Sequence, residues 1–413
     1  MKTKHHQLVV IGAGPAGLAA AIEAGKNGIG DILIIEREKM MGGILPQCIH
    51  PGFGLHIFKE ELTGPEYAQR FIDQMLKDEI GYAADTTVLD LTPGRQLTTV
   101  NDRDGLCLIQ ADAVILAMGC RERPRGTIGI PGTRPAGIFT AGTAQRFVNI
   151  EGYMPGKKAV ILGSGDIGLI MARRLTLEGA KVEMVCELMP WAGGLARNIV
   201  QCLDDFGIPL LLEHTITRIQ GQKRLEGVTI TDLKKNRSFE VSCDTLLLSA
   251  GLIPENELTK KAGIIIDPLT GGARVDNRMQ TSVEGIFSCG NVLHVNDLAD
   301  NVTEESRLAG KYAADHIKGS KKPDKCISVI PGDGVRYAVP QILYTQDLDE
   351  DKKLFFRVNS IMRDAKIVVK SKGRILGTYN RKIMTPGEME KITLGKNVSG
   401  AIDEVLEIGV EKK

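Results

Sequence analysis

Two clusters of glycine share one internal spacing, which is typical of a backbone loop that binds phosphate. In the pattern GxGxxG the first glycine permits a sharp turn, the second lets a pyrophosphate approach the main chain, and the third lets the following helix pack on its strand. A glutamate follows each cluster at the same distance, where its carboxylate accepts hydrogen bonds from a ribose diol. The two sets are Gly12, Gly14, Gly17 with Glu36, and Gly163, Gly165, Gly168 with Glu187. The sequence therefore predicts two dinucleotide sites.

Each cluster lies between a short apolar strand and a helix, and a second strand then ends at the glutamate. Such a helix presents unpaired N–H groups and partial positive charge to the phosphates. The predicted strands are 8–11 and 32–35 in the first copy, and 159–162 and 182–185 in the second. Further residues of the two motifs are expected to contact the cofactors, namely Pro15, Ala16, Arg37, Asp166 and Ile167.

The glutamate of the second copy indicates which nicotinamide nucleotide binds there. A carboxylate favours the free 2′-hydroxyl of NAD(H) and repels the 2′-phosphate of NADP(H). Residues 188–191 contain no Arg or Lys that would reverse this preference. We therefore expect NAD(H) at Glu187.

Composition narrows the class of protein. The chain has 413 residues, long enough for two or three domains, and a formal charge of +1, so neither nucleic acid nor an anionic membrane is indicated as a partner. No apolar run reaches the roughly 18 residues of a membrane span, and the N-terminus does not resemble a signal peptide. The eight cysteines are scattered without metal-ligand or CxxC spacing. We expect a reduced, cytoplasmic protein with no metal site.

With these motifs, residues 7–319 resemble the two-dinucleotide-binding flavoproteins of the pyridine nucleotide–disulfide oxidoreductase superfamily. Segment 112–125 resembles the family's strand leaving the FAD domain, and 244–258 resembles its counterpart leaving the NAD domain. Segment 281–310 resembles the final FAD motif, where the chain returns to the flavin. The resemblance implies FAD at the first motif and NAD(H) at the second. The implied fold is α/β, with two Rossmann-like dinucleotide-binding domains, the NAD domain inserted in the FAD domain, and a small C-terminal β-rich domain. The predicted boundaries are 1–125, 126–255, 256–322 and 323–413.

The resemblance also implies further flavin-binding positions. Asn291 stands where the family usually has an aspartate that accepts a hydrogen bond from the ribityl chain. Asn301 and Glu304 fit the N-cap and third position of a helix that, in the family, points its N-terminus at the flavin pyrimidine. The remaining positions expected to bind FAD are Gly42, Gly43, Gly119 and Gly290.

The redox disulfide of the superfamily's reductases is missing from the sequence. Its two cysteines would stand at Leu45 and His50, residues 152–250 hold no CxxC, and no histidine follows His316. Cys48 is the first catalytic candidate, as a redox-active thiol beside the flavin. The alternative is that Cys48 is a buried cysteine that only packs in the core. His50 is the second candidate, as a hydrogen-bonding group toward flavin or substrate. His294, Asp297 and Asp300 are weaker candidates before the flavin-facing helix.

A narrower resemblance rests on GGILPQCIHPGFG, LAMGCRERPR, IFTAGTAQRFVN and GNVLHVNDLADNVTEE. These segments are similar to FAD- and NAD-binding subunits of multi-subunit dehydrogenases, such as the flavoproteins that accompany anaerobic glycerol-3-phosphate dehydrogenase. The implied partner is a second dehydrogenase subunit or an iron–sulfur or other electron-carrier protein, and a homo-oligomer is also open. Two alternatives stay open: a stand-alone NADH oxidase or thiol-linked reductase using Cys48, and a non-catalytic flavin-binding scaffold.

Alternating apolar and polar residues near the C-terminus predict short strands, and we expect a sandwich that docks a partner or serves a structural role. The predicted strands are 337–343, 354–360, 366–370, 374–379 and 389–394.

Overall fold

The computed structural model describes residues 2–396 and 402–412. It divides into two compact units. The split unit comprises Met1–Cys120 and Pro254–Lys413, and the inserted unit comprises Arg121–Ile253. These limits differ from the predicted boundaries at 125 and 255 by a few residues. Residues 323–413, predicted as a separate domain, fall in the same unit as the first 120 residues.

The first part of the split unit forms a largely parallel sheet around a buried central strand. Its strands are β1 Lys2–Ile11, β2 Ile32–Ile35, β3 Pro51–Phe53, β4 Leu62–Thr63, β5 Gly81–Ala83, β6 Thr87–Leu91, β7 Gln96–Asn101 and β8 Gly105–Leu116, and its helices are α1 Pro15–Lys26 and α2 Gly64–Lys77. The order of the main sheet is β5-β2-β1-β8-β7-β6, and β3 and β4 form a separate two-stranded sheet. Leu8, Val9 and Val10 are fully buried, so the short apolar run in the sequence marks the core of a longer strand.

The inserted unit has a five-stranded parallel sheet and a smaller antiparallel one. Its elements are β9 Cys120–Glu122, α3 Arg125–Ile128, β10 Ile138–Thr140, α4 Ala141–Asn149, β11 Lys158–Leu162, α5 Asp166–Leu177, β12 Lys181–Glu187, α6 Ala196–Cys202, β13 Leu210–Leu212, β14 His214–Gln220, β15 Gly227–Asp232, β16 Arg237–Ser242, β17 Thr245–Leu248 and β18 Leu252–Pro254. The orders are β10-β17-β11-β12-β13 and β14-β15-β16, and β9 pairs β18. Each glycine cluster thus opens a βαβ unit in its own sheet.

The chain then returns to the split unit through α7 Glu257–Lys261, β19 Ile286–Ser288 and α8 Ala299–Ile317. β19 adds to the first sheet by pairing with β8 in parallel. A Cβ at Gly310 of α8 would lie 2.2 Å from the carbonyl oxygen of Ala20 in α1. Glycine at this position therefore lets the two helices approach closely.

The C-terminal segment is a sandwich of two sheets. Its strands are β20 Cys326–Pro331, β21 Val335–Val339, β22 Ile342–Tyr344, β23 Lys352–Val358, β24 Met362–Ser371, β25 Arg374–Met384, β26 Glu390–Leu394 and β27 Val405–Lys412. The sheet orders are β22-β20-β27-β24-β25 and β21-β23-β26. Leu354 and Phe356 of the smaller sheet share a buried cluster with Ile367 of the larger one. The fold class is therefore as predicted.

Two details of the prediction are wrong. The strand predicted over 337–343 is two strands, β21 and β22, separated at Pro340, which has no N–H to donate to a ladder. The helix predicted to be capped by Asn301 instead begins at Ala299 behind Leu298. Asn301 lies inside its first turn, where its side-chain oxygen accepts a hydrogen bond from Lys391 at 3.3 Å.

No helix in the described part of the chain is both long and apolar enough to span a membrane.

Candidate functional site

The first glycine cluster forms a turn that only glycine fits. Gly12 has φ +105°, and a Cβ there would lie 2.5 Å from the carbonyl oxygen of Ala117. A Cβ at Gly17 would lie 1.8 Å from the carbonyl oxygen of Gly12. α1 begins directly after Gly14, with Pro15 in its first turn, so the open N–H groups of the helix follow the turn at once.

A second glycine pair closes over this helix start. Gly42 donates its N–H to the carbonyl oxygen of Ala13 at 2.8 Å. Gly43 has φ +59°, and a Cβ there would lie only 2.8 Å from the Cα of Gly14. The two loops thus meet backbone to backbone. Gly12, Gly14, Gly42 and Gly43 form what we call the glycine cradle. It suits a pyrophosphate, because glycine lets the phosphates approach the main chain at the helix N-terminus.

Glu36 is already anchored at the edge of the cradle. It is 7% exposed. One carboxylate oxygen accepts the N–H of Ala13 at 2.7 Å, and the other accepts the N–H of Glu38 at 2.9 Å. Each oxygen keeps a further lone pair, so the carboxylate can still accept hydroxyl groups of a ribose. Arg37, beside it, is exposed.

The inserted unit repeats this arrangement. Glu187 is 9% exposed. One of its oxygens accepts from Ser164, at 2.9 Å from the backbone N–H and 2.6 Å from the hydroxyl, and the other accepts the N–H of Met189 at 2.9 Å. A Cβ at Gly163 would lie 2.1 Å from the carbonyl oxygen of Ser249, and one at Gly168 would lie 2.6 Å from its Cβ.

Sequence reasoning missed a glycine pair in the second copy. Gly193 and Gly194 follow Glu187 at the offset at which Gly42 and Gly43 follow Glu36. Gly193 donates its N–H to the Ser164 hydroxyl at 2.8 Å. The sequence did carry a signal for this pair. Aligning the two copies past Glu36 and Glu187 places Gly193 and Gly194 opposite Gly42 and Gly43.

The predicted residues Asp166 and Ile167 lie in the first turn of α5. One oxygen of Asp166 accepts from the N–H of Leu195 at 2.8 Å and from the amide of Asn198 at 2.6 Å. Asp166 therefore holds the start of α6 against the second cradle. The Ile167 side chain packs partly buried on the core of the inserted unit.

The segments predicted to address the flavin meet within the split unit. Asn291 donates from its amide to the sulfur of Cys120 at 3.6 Å, and its side-chain oxygen accepts the N–H of Asn296 at 2.9 Å. Gly119, adjoining Cys120, has φ +72° and open space where a Cβ would stand. Gly290 donates its N–H to Glu305 at 2.5 Å.

Two of the weaker candidates serve internal contacts. His294 and Glu305 are fully buried and hydrogen-bonded to each other at 2.6 Å, and the His294 ring contacts Tyr337 and Phe355 of the sandwich. Asp297 is paired with the buried Arg357 of β23. These long-range contacts are not visible in local sequence.

Asp300, the third weaker candidate, is a buried residue in the first turn of α8 and accepts the N–H of His56 at 3.1 Å.

The loop that carries Cys48 and His50 gives the thiol surroundings that disfavour its ionisation. Burial raises the pKa of Cys48 to about 12, and its sulfur donates to the carbonyl oxygen of Ile44 at 3.4 Å. The His50 ring is hydrogen-bonded to the carbonyl oxygen of Pro51 at 3.0 Å and rests against Phe53. The eight cysteines all lie in the described part of the chain, and none of them forms a disulfide there. Over residues 2–396 and 402–412, no group of three or more His, Cys, Asp or Glu is positioned to hold a metal.

Comparison with known proteins agrees with this architecture. The family model for pyridine nucleotide-disulphide oxidoreductases matches residues 6–309. An opine oxidase subunit of Agrobacterium tumefaciens (strain Ach5) is 29% identical over 283 residues, covering 62% of this chain and 54% of that protein. Thioredoxin reductase of Bacillus subtilis (strain 168) is 27% identical over 296 residues, covering 70% of this chain and 87% of that protein. The chain spans somewhat over half the length of the opine oxidase subunits it matches.

Among solved structures, thioredoxin reductase of T. acidophilum has a TM-score of 0.64 at 23% identity, covering 76% of this chain and 99% of that one. This likeness concerns the fold. The two βαβ cradles define a protein that binds two dinucleotides. The chain belongs to the pyridine nucleotide-disulphide oxidoreductase family, whose members are oxidoreductases that use FAD and NAD(P)H.

Proposed function

We propose that this chain oxidises or reduces NAD(H) through FAD, and that it is the electron-transferring subunit of a dehydrogenase complex. The observation that carries the proposal is the pair of matching cradles, each with an anchored glutamate, in a chain without a redox disulfide. The cradles provide for two dinucleotides. The electrons must then leave by a route other than a dithiol of this polypeptide.

The residues of the split unit would hold FAD. The turn at Gly12 and Gly14 and the N-terminus of α1 would bind the pyrophosphate, and Glu36 would accept the adenosine ribose hydroxyls. Gly119, Gly290 and Asn291 would lie toward the ribityl end. Bound FAD supplies a group that exchanges hydride with nicotinamide, and the protein supplies orientation and electrostatics.

The second cradle would select NAD(H) over NADP(H). The Glu187 carboxylate is fixed by three donors from Ser164 and Met189, so it does not swing away from an incoming ligand. A fixed negative charge repels a 2′-phosphate and accepts from a 2′-hydroxyl. Residues 188–191 bring no cation to offset it.

The high pKa of Cys48 argues against the thiol-linked alternative, because only the thiolate attacks a disulfide or peroxide. The remaining alternative is a flavin-binding scaffold without catalysis. Reduction of bound flavin by NADH would exclude it. The likeness to two opine oxidase chains, both named as subunits, supports a partner that oxidises the organic substrate. An iron–sulfur cluster, if the complex uses one, would belong to that partner or to a carrier protein.

The test is an anaerobic titration of the FAD-loaded protein with NADH, followed in the visible flavin spectrum and repeated with NADPH. We expect bleaching at about one NADH per flavin and a much weaker response to NADPH. A flavin that neither nucleotide bleaches leaves only the scaffold. Purification from the source cell tests the complex separately, because a second subunit that oxidises an organic substrate should accompany the chain.

A substitution tests the nucleotide preference. Glu187→Gln keeps the shape of the side chain but removes its charge, so we expect NADH to bind about tenfold more weakly and NADPH to lose its disadvantage. Glu183→Gln is the matched control, since Glu183 lies on the same strand and pairs with Lys158 and Lys181. Equal losses in the two variants would contradict the role of Glu187.

A further inference from the structure

The inserted unit holds a cavity that shares no residue with the second glycine cradle. Its volume is about 570 Å³, and it is lined by α3, the loop that follows it, the edge strand β10 and the end of β17. Thr140 and Leu248 place it at the carboxyl ends of β10 and β17. Ligands of parallel α/β sheets bind at that end of the strands, and the volume is within the range of small-molecule sites.

The wall of the cavity is fixed before any ligand arrives. The loop that forms it is bonded to β14 and the turn after it: Pro131 accepts the N–H of Ile219 at 3.0 Å, and Ala136 donates to Lys223 at 3.0 Å. A Cβ at Gly132 would lie 2.4 Å from the carbonyl oxygen of Ile219, so the loop lies flat against that strand.

The charge inside the cavity has one sign. Arg125 and Arg134 both line it, and none of its twelve lining residues is acidic. Burial and the positive charge of Arg134 lower the pKa of Arg125, so the two guanidinium groups repel each other electrostatically. Arg125 donates long hydrogen bonds of 3.4 Å to the carbonyl oxygens of Ile130 and Gly132. Arg134 is exposed, and over residues 2–396 and 402–412 it forms no hydrogen bond or ion pair.

The remaining wall is apolar. Ile130 and Leu248 belong to one buried cluster, and Ile138 packs against it, so these three contribute apolar side chains, whereas the Phe139 ring packs on Phe147 of α4. An oxidised nicotinamide ring is cationic and carries no phosphate at its outer end, so two unneutralised arginines would oppose it. The lining therefore does not suit the end of a dinucleotide held by Gly163 and Glu187.

We propose that this cavity is a second ligand site, for a small organic anion whose phosphate or carboxylate binds Arg125 and Arg134 and whose apolar body contacts Ile130 and Ile138. Arginine pairs bind carboxylates and phosphates through charge-assisted hydrogen bonds. The ligand lowers the mutual repulsion of the two cations while its apolar part leaves water.

Isothermal titration calorimetry on the FAD-loaded full chain tests the site, with phenyl phosphate and benzoate as probes. We expect at least one anion to bind at one per chain, inorganic phosphate to bind more weakly, and neutral benzyl alcohol not to bind. Arg134→Gln and Arg125→Gln should each weaken binding at least about tenfold. Arg237→Gln, an exposed arginine of β16, is the control and should bind as the unaltered chain does.

Repeating the titration with saturating NADH separates this site from the dinucleotide site. Unchanged affinity supports a distinct site, and competition by NADH overturns it. No heat from either anion, or an equal loss in Arg237→Gln, also overturns the proposal. Binding is measured on oxidised protein, so a failure of NADH to bleach the flavin bears on the proposed function alone.

Discussion

Gly43 shows how strongly one residue shapes the first cradle. Its φ of +59° disfavours any side chain, and a Cβ would strike the Cα of Gly14 at 2.8 Å. We expect Gly43→Ala to separate the two loops and weaken FAD retention about tenfold or more, since a left-handed alanine alone costs about 1 kcal/mol. The flavin-to-protein absorbance ratio after dialysis measures this. Gly30→Ala, where a Cβ meets nothing within 4 Å, should keep its flavin.

Cys48 carries the second prediction at this scale. A pKa of about 12 leaves roughly one thiol in ten thousand ionised at pH 8, so alkylation by iodoacetamide should be slow there and speed up as the pH approaches 12. The exposed Cys326 should be labelled first and provides the internal reference. Cys48→Ser should leave NADH:dye activity unchanged. A fast-labelling Cys48, or a large loss of activity, would restore the thiol mechanism.

The sequence predicted most of both cradles because their constraints are local. A strand, a tight turn and a helix start lie within about ten residues of one another, so glycine spacing alone reports them. The role of Ser164 escaped notice because its hydroxyl acts on residues more than twenty positions away. The same holds for His294, whose ring contacts Tyr337 and Phe355 more than forty positions further along the chain.

At the scale of elements, α8 is held by the small sheet of the sandwich. Glu304 in its first half accepts hydrogen bonds from Lys353 of β23 and Lys391 of β26, both at 3.0 Å. Arg357 of β23 reaches the carbonyl oxygen of Val295 and the Asp297 carboxylate just before the helix. The C-terminal segment therefore fixes the start of α8.

These contacts predict a pH-dependent stability. Burial opposes ionisation of Glu304, but the two lysines outweigh it and hold its pKa below the ordinary 4.5. Because the pKa of Glu304 is lower in the folded than in the unfolded chain, the carboxylate stabilises the fold at pH values above its ordinary pKa. That stability is lost as the pH falls through the folded-state pKa. We expect Glu304→Gln to lower stability at pH 7 by about 1 kcal/mol, and the difference to vanish in acid. Thermal melts from pH 7 down to pH 3 measure this.

The exposed Glu61 provides the comparison, since Glu61→Gln should melt like the unaltered chain at every pH. A difference for Glu304→Gln that stays constant into acid would show that packing, and not the lysine pairs, causes the loss.

The start of α8 was mispredicted for a reason that belongs to this scale. Asn301 and Glu304 have the residue types of a capping pair, and local sequence favours that use. Lys391 of β26 binds both side chains, Lys353 of β23 also binds Glu304, and the helix begins three residues earlier than the predicted cap implies. Local sequence also did not predict β20 and β27, which pair in parallel although more than seventy residues separate them along the chain.

At the scale of the whole molecule, residues 121–253 form a unit with its own buried clusters. Only two chain crossings join it to the rest. We expect a fragment of residues 121–253 to fold cooperatively and bind NADH within about threefold of the full chain's affinity, because every residue of the second cradle lies inside it. Circular dichroism melts and NADH fluorescence measure this. A fragment that folds but does not bind NADH would place part of the site in the split unit.

The same fragment carrying Glu187→Gln is the control for specific binding, and it should fold but bind NADH weakly. A fragment that does not fold at all would mean that the inserted unit depends on the split unit for stability.

The anchored glutamates have a consequence for the entropy of recognition. A free glutamate side chain loses on the order of 1–2 kcal/mol of rotational freedom when a ligand immobilises it. Glu36 and Glu187 lose that freedom when the chain folds, because Ala13, Glu38, Ser164 and Met189 already hold them. An arriving ribose therefore meets an acceptor that is already ordered, and binding does not include the entropic cost of immobilising that glutamate.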